Sequence, residues 1–206
     1  SGAFAVQSFV ISVENTNDAP VFTSEAITTA TEDAEYSYIV IAEDVDVGDE
    51  ISLSEVTLPA WLEFGVNDDG TGILSGTPLN GDVGTHEIVL TVTDGMETVE
   101  QSFTITVENT NDAPVFTSEA ITMATEDAEY SYIVIAEDVD EGDTLEITAS
   151  TLPTWLELED NGNGTATLAG TPENAYVGDH AVTLKVTDES GAFAVQSFVI
   201  SVENTN

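Results

Sequence analysis

Cysteine is absent from this 206-residue chain, so neither a disulfide framework nor a thiolate metal site is available to it. Basic residues are almost absent as well: Lys185 stands alone against 40 Asp and Glu, for a formal net charge of −39. Phosphate recognition needs Lys and Arg, which excludes nucleic acid as a partner and counts against anionic membrane surfaces. No apolar run reaches membrane-spanning length, so direct membrane insertion is not expected. No basic-then-apolar segment opens the chain, and its N-terminus is expected to be interior to some longer protein. Nucleophilic catalysis lacks its parts, since there is no Cys, one Lys and no Gly-x-Ser-x-Gly. Paired carboxylates are too abundant to single out an acid and a base, and the chain is expected not to be an enzyme.

What is present is a repeat. The heptapeptide Glu-Asn-Thr-Asn-Asp-Ala-Pro runs from Glu14 to Pro20 and again from Glu108 to Pro114, and its first four residues recur from Glu203 to Asn206. Asn17 and Asn111 lie 94 residues apart, Asn111 and Asn206 lie 95 apart, and residues 1–17 are identical to residues 190–206. The spacing predicts repeat 1 over 18–111 and repeat 2 over 112–206, each long enough for its own core, with 1–17 as the last strand of a preceding repeat in a longer tandem array. In that strand Phe4, Val6, Ser8, Val10 and Ser12 alternate with Ala5, Gln7, Phe9, Ile11 and Val13, a two-sided apolar pattern suited to a sandwich.

The acidity alone would suggest disorder, but 41% hydrophobic residues in regular alternation point to a folded chain. Repeat 1 reads as an opening strand from Val21, a turn near Thr31–Asp33, and strands at Tyr36–Ala42, Ile51–Leu53, Trp61–Phe64, Gly72–Ser75, His86–Thr93 and Thr98–Val107. Gly and Pro mark the breaks, as at Gly76-Thr-Pro78, and Asp94-Gly95 signals a hairpin. Residues 115–140 repeat 21–46 with one change, Met123 for Thr29. Seven short strands per repeat and no helical period predict an all-β chain of two tandem seven-stranded Greek-key β-sandwiches.

The chemistry lies in carboxylates and amides. Asp44-Val-Asp46-Val-Gly48-Asp49 and Asp138-Val-Asp140-Glu-Gly142-Asp143 place alternate carboxylates on one side of an extended backbone, with a Gly that lets the chain wrap a hard cation. A solvated acidic turn is the plainer reading, but carboxylates crowded in this way repel unless something neutralises them. Asn67-Asp-Asp-Gly70 and Asp160-Asn-Gly-Asn-Gly164 are read as hairpin turns rather than second cation sites. Trp61 and Trp155, each in a Leu-Pro-x-Trp-Leu stretch, are read as core rather than sugar platforms, and His86 and His180 as structural.

These motifs resemble the bacterial cadherin-like repeats of large secreted surface proteins, in their dystroglycan-type and Putative Ig varieties. The likeness rests on Asn-Asp-Ala-Pro at each start, Glu-Asp-Val-Asp after the second strand, Leu-Pro-x-Trp-Leu, Gly-Ile-Leu-Ser-Gly-Thr-Pro and Val-Thr-Asp-Gly, and it covers both repeats. It implies an extended rod of sandwiches with Ca²⁺ at each junction. For the central junction it implies Glu32, with Asp33 beside it, then Glu108, Asn109, Asn111 and Asp112 of the linker, and Asp138, Asp140 and Asp188. For the first it implies only the later half, Asn15, Asn17, Asp18, Asp44, Asp46 and Asp94. Thr-Asn-Asp stands where vertebrate cadherins have Asn-Asp-Asn, and their Leu-Asp-Arg-Glu motif is missing, which implies fewer ions per junction.

The function expected is a calcium-stiffened stalk or filament module of an extracellular, cell-surface adhesin, its partners being neighbouring repeats of the same protein. The alternative is a Ca²⁺-dependent carbohydrate-binding module, with Tyr36, Tyr38 or Tyr176 as platforms for a neutral polysaccharide if they point outward. Head-to-tail self-association through the strand at 1–13 is a further expectation, because its twin at 190–202 occupies a defined slot.

Overall fold

The protein is described by a computed structural model covering residues 2–205, and it divides between Glu108 and Asn109 into two compact units. Repeat 1 contains β1 (Val21–Phe22), β2 (Thr29–Thr31), β3 (Tyr36–Val40), β4 (Ala42–Glu43), β5 (Ser52–Thr57), β6 (Leu62–Val66), β7 (Gly72–Gly76), β8 (Gly84–Thr93) and β9 (Thr98–Glu108). Repeat 2 contains β10 (Val115–Phe116), β11 (Met123–Thr125), β12 (Tyr130–Glu137), β13 (Glu146–Thr151), β14 (Leu156–Asp160), β15 (Thr165–Gly170), β16 (Gly178–Thr187) and β17 (Phe193–Glu203). A single 3₁₀ turn precedes β8, at Asn80–Asp82, and another precedes β16, at Asn174–Tyr176.

Each unit is a sandwich of two open sheets. In repeat 1 the order is β2-β9-β8-β5 on one side and β3-β7-β6 on the other, with β1 paired to β4; in repeat 2 it is β11-β17-β16-β13 and β10-β12-β15-β14. The predicted opening strand is split. Its first piece pairs antiparallel on one sheet and its second pairs parallel with the last strand on the other, Ala30 opposite Val107 and Ala124 opposite Val202. With the split strand counted once, and β3 and β4 taken as one strand interrupted at Ile41, seven strands remain, as predicted.

The alternation that identified the strands places the core. Along β12 every second residue is buried, Tyr130, Tyr132, Val134 and Ala136, and the residues between face outward. These pack against Val182, Leu184 and Val186 of β16 and Ile200 and Val202 of β17 from the facing sheet. Repeat 1 does the same with Tyr36, Tyr38 and Val40 against Ile88, Leu90, Val92, Ile105 and Val107. Fully burying each aliphatic side chain contributes roughly 1.5–3 kcal/mol before conformational entropy is subtracted.

The buried tyrosines keep their hydroxyls partnered. Tyr36 donates to the Ile27 carbonyl at 2.7 Å and Tyr130 to the Ile121 carbonyl at 2.7 Å. Burial pushes the Tyr130 phenol up to about 12 and that of Tyr36 higher still, so both remain neutral donors. Tyr132 donates to the Gln196 amide oxygen at 3.1 Å, and Gln196 donates to the Ser118 carbonyl at 2.8 Å, tying β17 to the entry loop. Trp155 is buried edge-to-face against Tyr130 and His180, and Trp61 packs in the same way on Tyr36 and His86, which is the core role predicted. The turns at Asn67–Gly70 and Asp160–Gly164 close β6–β7 and β14–β15, as read from their residues.

Ser1 lies outside the described residues; residues 2–13 have no strand pairing and are exposed, and in each unit the place their twin takes, beside β8 or β16, is filled by β9 or β17.

Candidate metal centres

The loop after the second strand of each repeat reverses direction in a tight acidic turn, Asp44–Asp49 in repeat 1 and Asp138–Asp143 in repeat 2. Gly48 and Gly142 take left-handed conformations with φ of 107° and 100°, which residues with a Cβ adopt only under strain. The turn is held by its own carboxylates. The Asp46 backbone N–H donates to Asp44 Oδ1 at 2.8 Å, and the Asp140 N–H donates to Asp138 Oδ1 at 3.0 Å.

Asp46 and Asp140 are buried, and each clasps the heptapeptide that leads into its own repeat. Asp46 accepts from the Asn15 side chain at 2.7 Å and from the Asp18 backbone N–H at 2.7 Å. Asp140 repeats this with Asn109 at 2.9 Å and Asp112 at 2.7 Å. The second amide of each linker reaches the hairpin between the last two strands: Asn17 donates to Asp94 at 2.9 Å and Asn111 to Asp188 at 2.9 Å. Asn15, Asn17, Asp18, Asp44, Asp46 and Asp94 therefore meet at the entry end of repeat 1. Asn109, Asn111, Asp112, Asp138, Asp140 and Asp188 meet at the entry end of repeat 2.

Glu32 and Glu108 lie at the exit end of repeat 1. Glu32 is buried in the turn after β2, where its N–H donates to the Glu108 carbonyl at 2.9 Å, and Asp33 next to it has a φ of 58°. They lie at the far end of β9 from Asp94, eleven residues of strand away.

Asp49 and Asp143, which stand in the acidic motifs but were not among the residues assigned to the junctions, join the clusters. Carboxylate oxygens of Asp44, Asp46 and Asp49 lie within 4.8 Å of one another, and so do those of Asp138, Asp143 and Asp188. Asp49 and Asp143 close the same six-residue motif as Asp44 and Asp138; the left-handed Gly one residue earlier was the available signal, since it folds the fifth following carboxylate back onto the first. Asp44 Oδ2, Asp138 Oδ2 and Asp143 Oδ2 are buried with no donor within reach. Buried carboxylate oxygens without partners are costly, and a hard divalent cation with oxygen preference is the chemistry that fits them.

The electrostatics divide these groups. Loss of solvent, followed by the charges of Asp138, Asp140, Asp188 and Glu189, pushes the Asp143 carboxyl above the ordinary carboxylate range; loss of solvent with Asp46, Asp44 and Asp94 does the same to Asp49. Asp188 is held low, first by the Asn111 side chain, and Asp94 is held low, first by the Glu97 backbone N–H. A raised carboxylate opposes folding once ionised. Its penalty is absent below the ordinary value near 4 and fully present above the raised one. In chelator at neutral pH, Asp143→Asn is therefore expected to melt higher than the parent, with the difference shrinking as pH falls towards 4. With calcium the order reverses, because the substitution removes a ligand. Melting curves at two pH values, with and without calcium, check both signs, and an unchanged order in calcium would remove Asp143 from the site.

The Putative Ig domain family model matches residues 19–108 and again residues 113–203. The chain belongs to this family. Its two matches are the two sandwiches. A comparison with curated proteins gives no match. Among solved structures the chain is similar to PcdhgB3 EC1-4, with a TM-score of 0.70 at 18% identity over 93% of this chain and 51% of that one. It is also similar to human Protocadherin-24 EC1-2, with a TM-score of 0.55 at 22% identity over 92% of this chain and 100% of that one. At such identities the likeness shows the fold, that of tandem cadherin-like and Ig-like sandwiches. An endo-fucoidan hydrolase of glycoside hydrolase family 107, MfFcnA4, aligns at 28% identity over 91% of this chain and 29% of its own, but its TM-score of 0.43 carries no argument here. The chain spans only about half of PcdhgB3 EC1-4 and less than a third of the hydrolase. No helix among the described residues is long and apolar enough to cross a membrane.

Proposed function

We propose that this Putative Ig tandem is a calcium-stiffened stalk module of a large extracellular surface protein and has no catalytic role. The observation that carries the reading is the pair of entry-end clusters, in which oxygens of Asp44, Asp138 and Asp143 are buried without a donor exactly where the linker is clasped. Asp138, Asp140, Asp143 and Asp188 would hold the ion in repeat 2, with Asn109, Asn111 and Asp112 of the linker. Bound calcium supplies positive charge that relieves the carboxylate repulsion and ties the linker to the domain it enters. An Asn side chain that now donates to Asp140 or Asp188 offers its oxygen instead when the amide turns over.

The extracellular assignment rests on the tandem cadherin-like and Ig-like fold. Extracellular modules bind calcium at roughly 10⁻⁴ to 10⁻³ M, a range the medium outside a cell supplies. The carbohydrate alternative loses Tyr36 and Tyr38 as platforms, because both are core residues; Tyr176 is half-buried, with its hydroxyl 3.1 Å from that of Thr154. Small-angle scattering tests the stalk. Calcium is expected to lengthen the maximum dimension of the chain and sharpen its distance distribution relative to chelator. Identical curves in the two conditions would refute stiffening even if calcium binds.

A further inference from the structure

Asn-Gly, the sequence in which an asparagine side chain is most open to attack by the backbone nitrogen that follows it, occurs three times, at Asn80-Gly81, Asn161-Gly162 and Asn163-Gly164. The fold treats the three differently. Asn80 opens a 3₁₀ turn and its carbonyl accepts from the Val83 N–H at 3.2 Å, which fixes the backbone torsion that attack would have to rotate. The Gly162 N–H donates to Asp160 Oδ1 at 3.1 Å, so the nitrogen that would attack Asn161 is occupied. Asn163 is exposed, and among the described residues the Gly164 N–H has no acceptor. The Asn163 side-chain carbonyl is also polarised: the Thr165 hydroxyl donates to its Oδ1 at 2.6 Å and itself accepts from the Asn161 side chain at 3.0 Å. A donor placed on the oxygen that gains charge as the nitrogen adds lowers the barrier to addition.

The twin turn of repeat 1 displays the product. Asn67-Asp-Asp-Gly70-Thr71 stands where repeat 2 has Asn161-Gly-Asn-Gly164-Thr165, so Asp69 occupies the place of Asn163. Asp69 Oδ1 accepts from the Thr71 hydroxyl at 2.7 Å, and Asn67 donates to Thr71 Oγ1 at 2.9 Å, the same two bonds that Asn163 and Asn161 make to Thr165. A carboxylate at this position is therefore compatible with the turn. Asp69 does not react onward in the same way. The Thr71 hydroxyl, before any other group, holds its carboxyl below the ordinary range, and an ionised carboxylate is a poor electrophile. The Gly70 N–H, moreover, is committed to the Asn67 carbonyl at 3.0 Å.

We propose that Asn163 is a self-modification site, at which repeat 2 acquires the carboxylate that repeat 1 carries from the start. The Gly164 nitrogen adds to Asn163 Cγ and loses its proton to water. The C–N bond of the side-chain amide breaks, ammonia leaves, and a five-membered succinimide remains. Water then opens the ring at one of its two carbonyls, leaving aspartate or isoaspartate at position 163. No oxidant or cofactor enters the balance. Asn163 shares with Asp138 and Asp143 the lining of a cavity of about 490 Å³, so each event adds one negative charge at its edge. On the calcium reading proposed above that charge tightens the site, whereas the conversion itself does not rest on it.

The test holds the full chain in warm, mildly alkaline buffer with chelator, samples it over weeks, cuts it at glutamate and maps the peptides by mass spectrometry. The peptide spanning 160–173 is expected to gain one mass unit, with fragmentation placing the change on Asn163 and part of the product appearing as isoaspartate. Asn161 and Asn80 should stay intact while most of Asn163 converts. In denaturant, where the fold no longer distinguishes them, all three are expected to react at similar rates. Thr165→Val, which removes the polarising hydroxyl, is expected to slow conversion in the folded chain and leave the denatured rate unchanged. An Asn163 that survives in the native chain, or converts no faster there than Asn161, would overturn the proposal. Because calcium is absent throughout, such a failure leaves the stalk reading standing, and a chain indifferent to calcium leaves the conversion standing.

Discussion

Calcium at about 10 mM is expected to raise the melting temperature of chelator-treated protein by roughly 10–20 °C. The magnitude follows from mass action. With a dissociation constant of about 10⁻⁴ M, such a concentration is about a hundredfold excess, and selective binding to the folded state stabilises it by about 2.7 kcal/mol. For a domain of this size each kcal/mol moves the midpoint by about 4–8 °C. The starting point is low because 40 acidic residues repel in the compact state with one basic residue to offset them. Asp140→Asn should remove most of the calcium response of repeat 2. It should also lower the metal-free midpoint, since Asp140 accepts from both Asn109 and Asp112. Calorimetry that resolves two transitions assigns each shift to its repeat. A midpoint indifferent to calcium in both would eliminate the metal centres.

Gly76→Ala is expected to cost repeat 1 about 3 kcal/mol or more. A Cβ built on Gly76 would lie 1.9 Å from the Trp61 carbonyl oxygen and 3.2 Å from the Leu62 Cα, and backbone atoms cannot step aside as a flexible side chain can. β7 pairs with β6 here, Gly76 opposite Leu62, so relief would break the sheet beside the buried Trp61–Tyr36 contact. Gly170 repeats the geometry against Trp155 at 2.0 Å. Gly81→Ala is the control, because its Cβ meets nothing within 4 Å. Chemical denaturation of the two variants should separate them by more than about 2 kcal/mol; near-equal midpoints would show that the strand yields more easily than backbone packing allows.

Gly76 also shows how far the sequence could be read. In Gly-Thr-Pro it passes for a strand terminator, which it is, yet the need for a missing Cβ comes from the Trp61 carbonyl, fifteen residues away in sequence and in the turn that leads into the neighbouring strand. The same division runs through the metal centres. Alternating Asp at 44 and 46, and at 138 and 140, announces a cation turn because alternate positions of extended backbone share a side. Asp49 and Asp143 join them only through the left-handed Gly that bends the chain back.

The repeat period, the alternation of apolar residues and the Gly and Pro breaks determined two tandem β-sandwiches, because burial on a pleated strand has period two and admits no other register for Tyr130–Ala136 or Ile200–Val202. The lack of cysteine likewise ruled out disulfide bonds without any coordinates, and the acidity set the expectation that nucleic acid is not a partner. Tertiary structure alone decided which oxygens meet. Asp46 accepts from the Asp18 N–H and Asp140 from the Asp112 N–H across 28 residues of chain, and Asp94 and Asp188 reach Asn17 and Asn111 across 77. Such meetings are settled by how the strands pack, and a sequence names each carboxylate without naming its distant partner.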